Sequence, residues 1–135
     1  MESLIYEENT ETPGVILDKE NQTFKIWGKS FPEEANKFFE PIFNWLEEYI
    51  QEPNENTTFV FKLEYFNSAS STRMLEIFYI LDRLHKAGHD VTIQWHYLEI
   101  DDDMLESGKE FSEMISVPVE FYPYEDDDTK EKDFE

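Results

Sequence analysis

The sequence lacks cysteine, has only 4 glycines, and is poor in basic residues, with 11 lysines and arginines against 32 aspartates and glutamates. The absence of cysteine excludes a disulfide framework, a thiolate nucleophile and any metal site built on thiolates. The formal net charge of −21 argues against a nucleic-acid-binding protein, because a phosphate backbone is bound by lysine and arginine.

Long apolar runs are also missing, so the sequence predicts no membrane-spanning helix, which needs about 18 or more consecutive apolar residues. The first residues are acidic and do not show the basic and then apolar pattern of a secretory signal. We therefore expect a cytoplasmic protein that does not associate with membranes.

Aromatic residues are abundant: the 135-residue chain has 12 phenylalanines, 7 tyrosines and 3 tryptophans. This content argues against a wholly disordered chain and suits one domain with a sizeable core. Residues 125–135 differ, because they carry seven acidic residues and two lysines, with Phe134 as their one apolar residue. We predict one domain over residues 1–124 and an acidic, disordered tail over residues 125–135.

The hydrophobic pattern predicts the element order β-β-β-α-β-α-β-α-β. Helices that alternate with strands in the second half imply parallel pairing there, whereas the N-terminal hairpin implies antiparallel pairing. The predicted fold class is therefore α/β (α+β in stricter naming). We expect a single domain with a mixed sheet of about six strands and three helices mainly on one face.

Several local predictions can be compared with the structure. The first helix is expected to start around residues 30–34, with Pro32 in its first turn, and to kink or break at Pro41. The second is expected from about Arg73 to Ala87 with Gly88 after its end, and the third from an Asp101–Asp103 cap to near Ile115.

In the strand Thr57–Phe66, alternation places Phe59, Phe61, Leu63 and Tyr65 on one side. A final strand is expected over Val117–Tyr122.

A cluster of hydroxyl side chains lies where this strand meets the second helix, in the sequence Asn67-Ser68-Ala69-Ser70-Ser71-Thr72. One reading is simple capping of the helix by Ser68 or Ser70. The other is a phosphate site at the positive end of the helix, with the phosphate either carried by a ligand or attached to a serine. The segment has no glycine to wrap a nucleotide, which favours modification of a hydroxyl over ligand binding.

The chain resembles the SiaC family of bacterial regulatory phosphoproteins over roughly residues 3–123. The motifs that carry the resemblance are FPE, the YFN that precedes the hydroxyl run, and a strand ending in W-x-Y. More distantly, the architecture is similar to the STAS domain of anti-sigma factor antagonists. Those domains also have a phosphorylatable serine where a strand leads into a helix.

The resemblance implies a non-enzymatic signalling switch that a Ser/Thr kinase phosphorylates and a PPM-type phosphatase dephosphorylates. In its unphosphorylated form it would bind and regulate a partner such as a diguanylate cyclase. From the residues themselves we expect no cofactor, metal or nucleic acid. The hydroxyl that follows YFN here is Ser68, where much of the family has threonine. The resemblance thus implies phosphorylation at Ser68, with Ser70, Ser71 and Thr72 as fallback positions. The expected partner-binding residues are Asn67, Ser68, Ser70, Ser71 and Arg73.

Two other function classes stay open from the residues. The chain could be a constitutive acidic interaction module in which Ser68 only caps the helix. It could also be a small hydrolase that uses the same turn, although the sequence has no G-x-S-x-G nucleophile elbow. His85 and His89 are spaced four apart, but Gly88 between them argues against a metal pair on one helix.

Overall fold

In a computed structural model, which describes residues 1–126, the chain forms one six-stranded sheet and three helices. Most of the predicted tail, residues 127–135, lies outside the described residues. The order β-β-β-α-β-α-β-α-β is confirmed. The elements are β1 (Leu4–Tyr6), β2 (Gly14–Asp18), β3 (Thr23–Ser30), α1 (Ala35–Tyr49), β4 (Asn56–Phe66), α2 (Ser68–Lys86), β5 (Asp90–Leu98), α3 (Asp102–Ser112) and β6 (Val119–Tyr124).

The strands lie in the sheet in the order of the sequence, β1 to β6. The pairs β1–β2 and β2–β3 are antiparallel, and the pairs from β3 to β6 are parallel. Each helix connects two adjacent parallel strands. Because such crossovers are right-handed and all step in the same direction, they place the three helices on one face of the sheet. The predicted mixed sheet is confirmed.

Aromatic side chains join each helix to that face. Phe24 of β3 packs against Trp45 and Tyr49 of α1, with ring centroids 6.0 and 5.0 Å apart. Phe61 of β4 packs against Phe78 of α2 at 5.0 Å. Farther along the sheet, Trp95 of β5 meets Phe111 of α3 at 5.8 Å. The strand residues that form this core alternate along each strand, as period-2 patterning requires.

The first helix begins later than predicted. It starts at Ala35, after Glu34, which makes no side-chain cap, so the expectation that Pro32 occupies its first turn is wrong. Pro41 lies within one continuous helix assigned over Ala35–Tyr49, and the chain does not divide there into two helices. Proline has no N–H and so cannot donate a hydrogen bond within the helix. The long apolar stripe of α1 packs on the sheet and keeps the helix continuous despite this missing bond.

The second helix begins earlier than predicted, at Ser68 rather than about Arg73, so the hydroxyl run forms its first turns. Its end is as expected, with Gly88 at a φ of +100° just beyond the Ala87 cap. The cap of α3 by Asp101 is confirmed: its Oδ1 accepts a hydrogen bond from the Met104 N–H at 3.0 Å. None of the three helices described among residues 1–126 has the combination of length and apolar composition that a membrane-spanning helix needs.

A register shift between β3 and β4 changes which side chains face the core near the C-terminal end of β4. Gly28 pairs with Leu63 and Lys29 with Tyr65, so Glu64 is an extra residue and the alternation reverses after it. Phe66, not Tyr65, packs against Trp95 and Phe111. The prediction that Tyr65 shares a face with Leu63 is therefore wrong, and Tyr65 is 51% exposed.

Candidate functional site

The candidate site lies where β4 leads directly into α2. Asn67, between Phe66 and Ser68, has extended backbone angles, and its Oδ1 accepts a hydrogen bond from the Ser70 N–H at 2.9 Å. Asn67 is therefore the N-cap. The interpretation that Ser68 or Ser70 is the N-cap of this helix is wrong, because both residues lie inside the helix.

Ser68 is the first residue of α2 and is exposed. Its hydroxyl makes no hydrogen bond within residues 1–126, since the cap is supplied by Asn67. The N–H groups of Ser68 and Ala69 likewise have no hydrogen-bond partner in that part of the chain. An unengaged hydroxyl thus lies beside two unpaired backbone donors, at the positive end of a 19-residue helix.

The other hydroxyls of the run are held within the fold to different degrees. Ser70 is fully buried, and its Oγ is 2.8 Å from the Oγ of Ser30 at the end of β3. Ser71 is half-buried. Thr72 is exposed, but its Oγ1 donates to the carbonyl of Ser68 at 3.2 Å. Among the predicted phosphorylation positions, Ser68 is the one that combines exposure with a free oxygen.

Ser30 was missed by sequence reasoning, which placed it at the start of the first helix. Its carbonyl accepts a hydrogen bond from the Asn67 N–H at 3.1 Å, in addition to the contact of its hydroxyl with Ser70. Both groups fix the start of α2 against the end of β3. The separation of 40 residues between Ser30 and Ser70 leaves no local signal for this pair.

Arg73, predicted to bind a partner, is held within the chain. Its Nη1 donates to Oδ1 of Asn36 in α1, and its Nε lies 3.3 Å from Oε1 of Glu76. The guanidinium therefore ties the first turns of α1 and α2 together. A shallow groove beside this contact is lined by Ala69 and by residues 33–37, including Glu33 and Glu34.

Two exposed aromatic side chains lie at the same end of the sheet as the site. Phe31, just after β3, and Tyr65, near the end of β4, are 36% and 51% exposed. Their rings meet edge to face with centroids 5.8 Å apart. Large apolar side chains exposed side by side are typical of protein-binding surfaces. The sequence did not indicate this pair, because the reversal of alternation after Glu64 exposes Tyr65.

The described residues hold no cluster of three or more histidine, aspartate or glutamate side chains arranged for a metal ion. A buried carboxylate near the other end of α2, that of Asp82, is structural. It is 5% exposed and accepts hydrogen bonds from the N–H and Oγ of Ser116 at 2.9 and 3.0 Å. Burial alone would raise the pKa of Asp82, but the Ser116 hydrogen bonds and Lys86 outweigh it and leave the pKa lowered.

Comparison with known proteins gives a consistent result. The family model described as "SiaC family regulatory phosphoprotein" matches residues 6–124. An uncharacterized protein of Pseudomonas aeruginosa strain UCBPP-PA14 is 27% identical over 107 residues, covering 79% of this chain and 85% of that protein.

Solved structures agree with the sequence match. The crystal structure of apo-SiaC from Pseudomonas aeruginosa is similar with a TM-score of 0.83 and 25% identity, over 90% of this chain and 99% of that chain. The SiaC structure solved in complex with the diguanylate cyclase SiaD, as its activator, is similar with a TM-score of 0.85 and 25% identity over the same shares. Because the family match spans nearly all of the described fold, this chain belongs to the SiaC family of regulatory phosphoproteins.

Proposed function

We propose that this chain is a non-enzymatic signalling switch that is reversibly phosphorylated on Ser68. In its unphosphorylated form it binds and regulates a partner such as a diguanylate cyclase. A Ser/Thr kinase adds the phosphate and a PPM-type phosphatase removes it. The similar SiaC of Pseudomonas aeruginosa, which activates the diguanylate cyclase SiaD, supports this class of partner.

The observation that carries the proposal is the state of the Ser68 hydroxyl. It is exposed and unengaged at the first position of α2, whereas Ser70 is buried against Ser30. Asn67 caps the helix, so Ser68 can be modified without loss of the cap. A kinase can therefore reach this oxygen in the folded protein.

A phosphate on Ser68 affects the fold and the partner interface differently. It adds about −1.5 to −2 charges and three acceptor oxygens. At the helix N-terminus, beside the free N–H groups of Ser68 and Ala69, it gains about 0.3–1 kcal/mol within the monomer. In an interface that buries it without a cation, it costs several kcal/mol, and each 1.4 kcal/mol changes affinity about tenfold.

The surroundings of Ser68 supply a surface for the unphosphorylated complex. The Phe31–Tyr65 pair offers exposed apolar area, and Glu33 and Glu34 add negative charge at the α1 side. A dianion added on Ser68, next to Ala69 of the groove that Glu33 and Glu34 line, increases the local negative charge. We therefore expect phosphorylation to weaken binding of the partner while leaving the fold unchanged.

Incubation with the cognate kinase, followed by intact-mass measurement and peptide mapping, tests the proposed site. The wild-type chain should gain one phosphoryl group on Ser68, and the Ser68→Ala variant should gain none. Ser71→Ala is the matched control, since Ser71 lies in the same first turns and is half-buried. Phosphorylation of Ser68→Ala to the same extent as wild type would contradict the assignment.

The same experiment separates the alternatives. A constitutive acidic interaction module would bind its partner without accepting phosphate from the kinase. A hydrolase needs a base beside the nucleophile, and the Ser68 hydroxyl makes no hydrogen bond to a histidine or a carboxylate within residues 1–126. The geometry therefore favours the phosphorylated switch over a hydrolytic serine.

A further inference from the structure

A cavity of about 390 Å³ lies at the carboxyl ends of the parallel strands β3 to β6. Each of these strands contributes a wall residue at its last position or within two positions of it, namely Lys29 of β3, Glu64 of β4, Leu98 of β5 and Tyr124 of β6. Barrels and open sheets of parallel strands bind their ligands at this end, and pockets for small molecules have volumes from about 300 Å³ upward. The position and the volume of this cavity therefore suit a small ligand.

The bulge in β4 brings one of the charged side chains to this cavity. The register shift between β3 and β4 leaves Glu64 as the extra residue of β4, and Lys29 is the first residue of β3 after the shift. Both residues line the cavity. Bulges are common beside binding sites, because the extra residue re-aims a side chain there. The irregularity in the sheet thus places a carboxylate and an ammonium group in the wall of one cavity.

The wall carries charged side chains of both signs, namely Lys29, Lys62, Glu64, Asp101 and Asp126. Neither lysine forms an ion pair with a carboxylate among residues 1–126. The Lys62 ammonium lies 4.7 Å from the centre of the Tyr124 ring instead. Asp101 is held at the start of α3, where its Oδ1 accepts the Met104 N–H. Opposite charges that share a wall without contact between them leave space for a ligand group beside each.

The balance of these charges selects the class of ligand. The residues that the structure describes contain no group of three or more histidine, aspartate or glutamate side chains arranged for a metal ion, so the carboxylates of the wall do not converge on a cation of that kind. Three carboxylates against two lysines make the wall negative overall, which disfavours a doubly charged anion such as a phosphate monoester. A ligand with one carboxylate and one ammonium group gives each set of charges a partner and adds no net charge.

We propose that this cavity binds a small zwitterion, with a carboxylate at one end and an ammonium group at the other. Lys29 and Lys62 hold the carboxylate, and Glu64 and Asp101 hold the ammonium group. The aliphatic part of the ligand lies against Leu98, an apolar residue of the wall. The proposal does not depend on phosphorylation of Ser68.

The cavity adjoins the aromatic pair described above. Glu64 and Asp101 also line a neighbouring groove, together with Tyr65 and Phe66. A ligand held by these two carboxylates is therefore placed beside the exposed ring of Tyr65, so the cavity is suited to an effector of that surface.

NMR titration of the full chain with three matched probes tests the proposal. The compound ε-aminocaproate carries both charges, caproate carries the negative charge alone, and hexylammonium carries the positive charge alone. The zwitterion should shift the backbone amide signals of Lys29, Lys62, Glu64 and Leu98 and reach saturation. Each singly charged probe should bind at least about tenfold more weakly, because it leaves one set of charged side chains without a partner.

Substitutions in the wall identify the site. Lys62→Gln and Glu64→Gln should each weaken binding of ε-aminocaproate at least about tenfold, while the dispersion of the spectrum shows that each variant is folded. Lys25→Gln and Glu106→Gln are the matched controls. They change the net charge by the same amounts, but Lys25 of β3 and Glu106 of α3 do not line the cavity, so both should bind the probe as wild type does.

Three results would overturn the proposal. The first is shifts that do not saturate with ε-aminocaproate, and the second is equal affinity for the three probes. The third is an affinity for ε-aminocaproate that Lys62→Gln or Glu64→Gln leaves unchanged, or that the controls reduce to the same extent. These titrations use neither a kinase nor a partner protein, so their failure would leave the proposed switch at Ser68 untouched.

Discussion

At the scale of single residues, the start of α2 depends on a buried pair of hydroxyls. Ser30 and Ser70 are both fully buried, and their oxygens are 2.8 Å apart. Burying one hydroxyl without a partner costs about 1–3 kcal/mol, whereas removing both partners costs less. The pair therefore explains how a polar side chain of the hydroxyl run can lie inside the domain.

A double-mutant cycle tests this pair. Ser30→Ala and Ser70→Ala should each lower the free energy of unfolding by about 1–3 kcal/mol, since each leaves the other hydroxyl unpaired. The double variant should lose less than the sum of the two. Urea unfolding of the four proteins measures the coupling. Strict additivity would show that the two hydroxyls do not depend on each other.

The carboxylate of Asp82 gives a pH-dependent contribution to stability. Its pKa is lowered in the folded state, because the Ser116 hydrogen bonds and Lys86 outweigh the effect of burial. The ionised Asp82 carboxylate therefore stabilises the folded state fully above the pKa that Asp82 has in the unfolded chain, about 3.8. This stabilisation is lost as the pH falls through the pKa that Asp82 has in the folded state.

Asp82→Asn should reduce the free energy of unfolding by about 1–2 kcal/mol at neutral pH, since the hydrogen bonds lose their charge assistance. The difference from wild type should shrink as the pH falls below about 3.8. Glu106→Gln, at an exposed position of α3, is the control and should change stability little. A difference that stays constant down to the lowest pH at which the chain folds would refute the assignment.

At the scale of elements, the boundary between β4 and α2 decides where the Ser68 hydroxyl lies. Asn67 caps the helix, and its own N–H donates to the Ser30 carbonyl. Asn67→Ala should lower the free energy of unfolding by about 1 kcal/mol, and Asn67→Asp should retain most of the stability because aspartate also caps. Thermal and urea unfolding measure the stability of both variants relative to wild type. An aspartate variant as unstable as the alanine variant would contradict the capping role.

The order of the elements could be predicted from the sequence because the apolar patterns are long. The strand containing Phe59 and Phe61 and the helix containing Ile77 and Leu81 show clear periods, and short-range alternation is enough to find them. The alternation of helices and strands then indicates parallel crossovers. These patterns place the hydroxyl run at a strand-to-helix junction before any coordinates are known.

The boundaries and the exposure of individual residues could not be predicted in the same way. Serine and threonine favour caps and first turns alike, so the run from Ser68 to Thr72 does not locate its own N-cap. The partner of Ser70 lies 40 residues away, and the exposure of Tyr65 depends on a shift in strand pairing. Both are tertiary effects that local sequence does not encode.

At the scale of the whole molecule, the proposed site combines the Ser68 hydroxyl with an exposed aromatic pair. If this surface binds the partner, Tyr65→Ala should weaken binding by about tenfold or more, because exposed aromatic residues often dominate interface energies. Tyr79→Ala is the matched control, since Tyr79 on α2 is 41% exposed and belongs to no part of this site.

Isothermal titration calorimetry with the proposed diguanylate cyclase partner measures the affinity of both variants, and circular dichroism confirms that each is folded. Tyr65 makes its ring contact with Phe31 at the surface, so its loss should change stability little. Equal affinities of the Tyr65→Ala and Tyr79→Ala variants for the partner would show that the aromatic pair is not part of the interface.

The most direct test of the proposed switch compares the affinity of the proposed diguanylate cyclase partner for the unmodified chain, for the chain phosphorylated on Ser68, and for Ser68→Ala. We predict that the unmodified chain and Ser68→Ala bind with similar affinity, and that the phosphorylated chain binds at least about a hundredfold more weakly while its unfolding curve is unchanged. Equal binding of the phosphorylated and unmodified chains would contradict the switch.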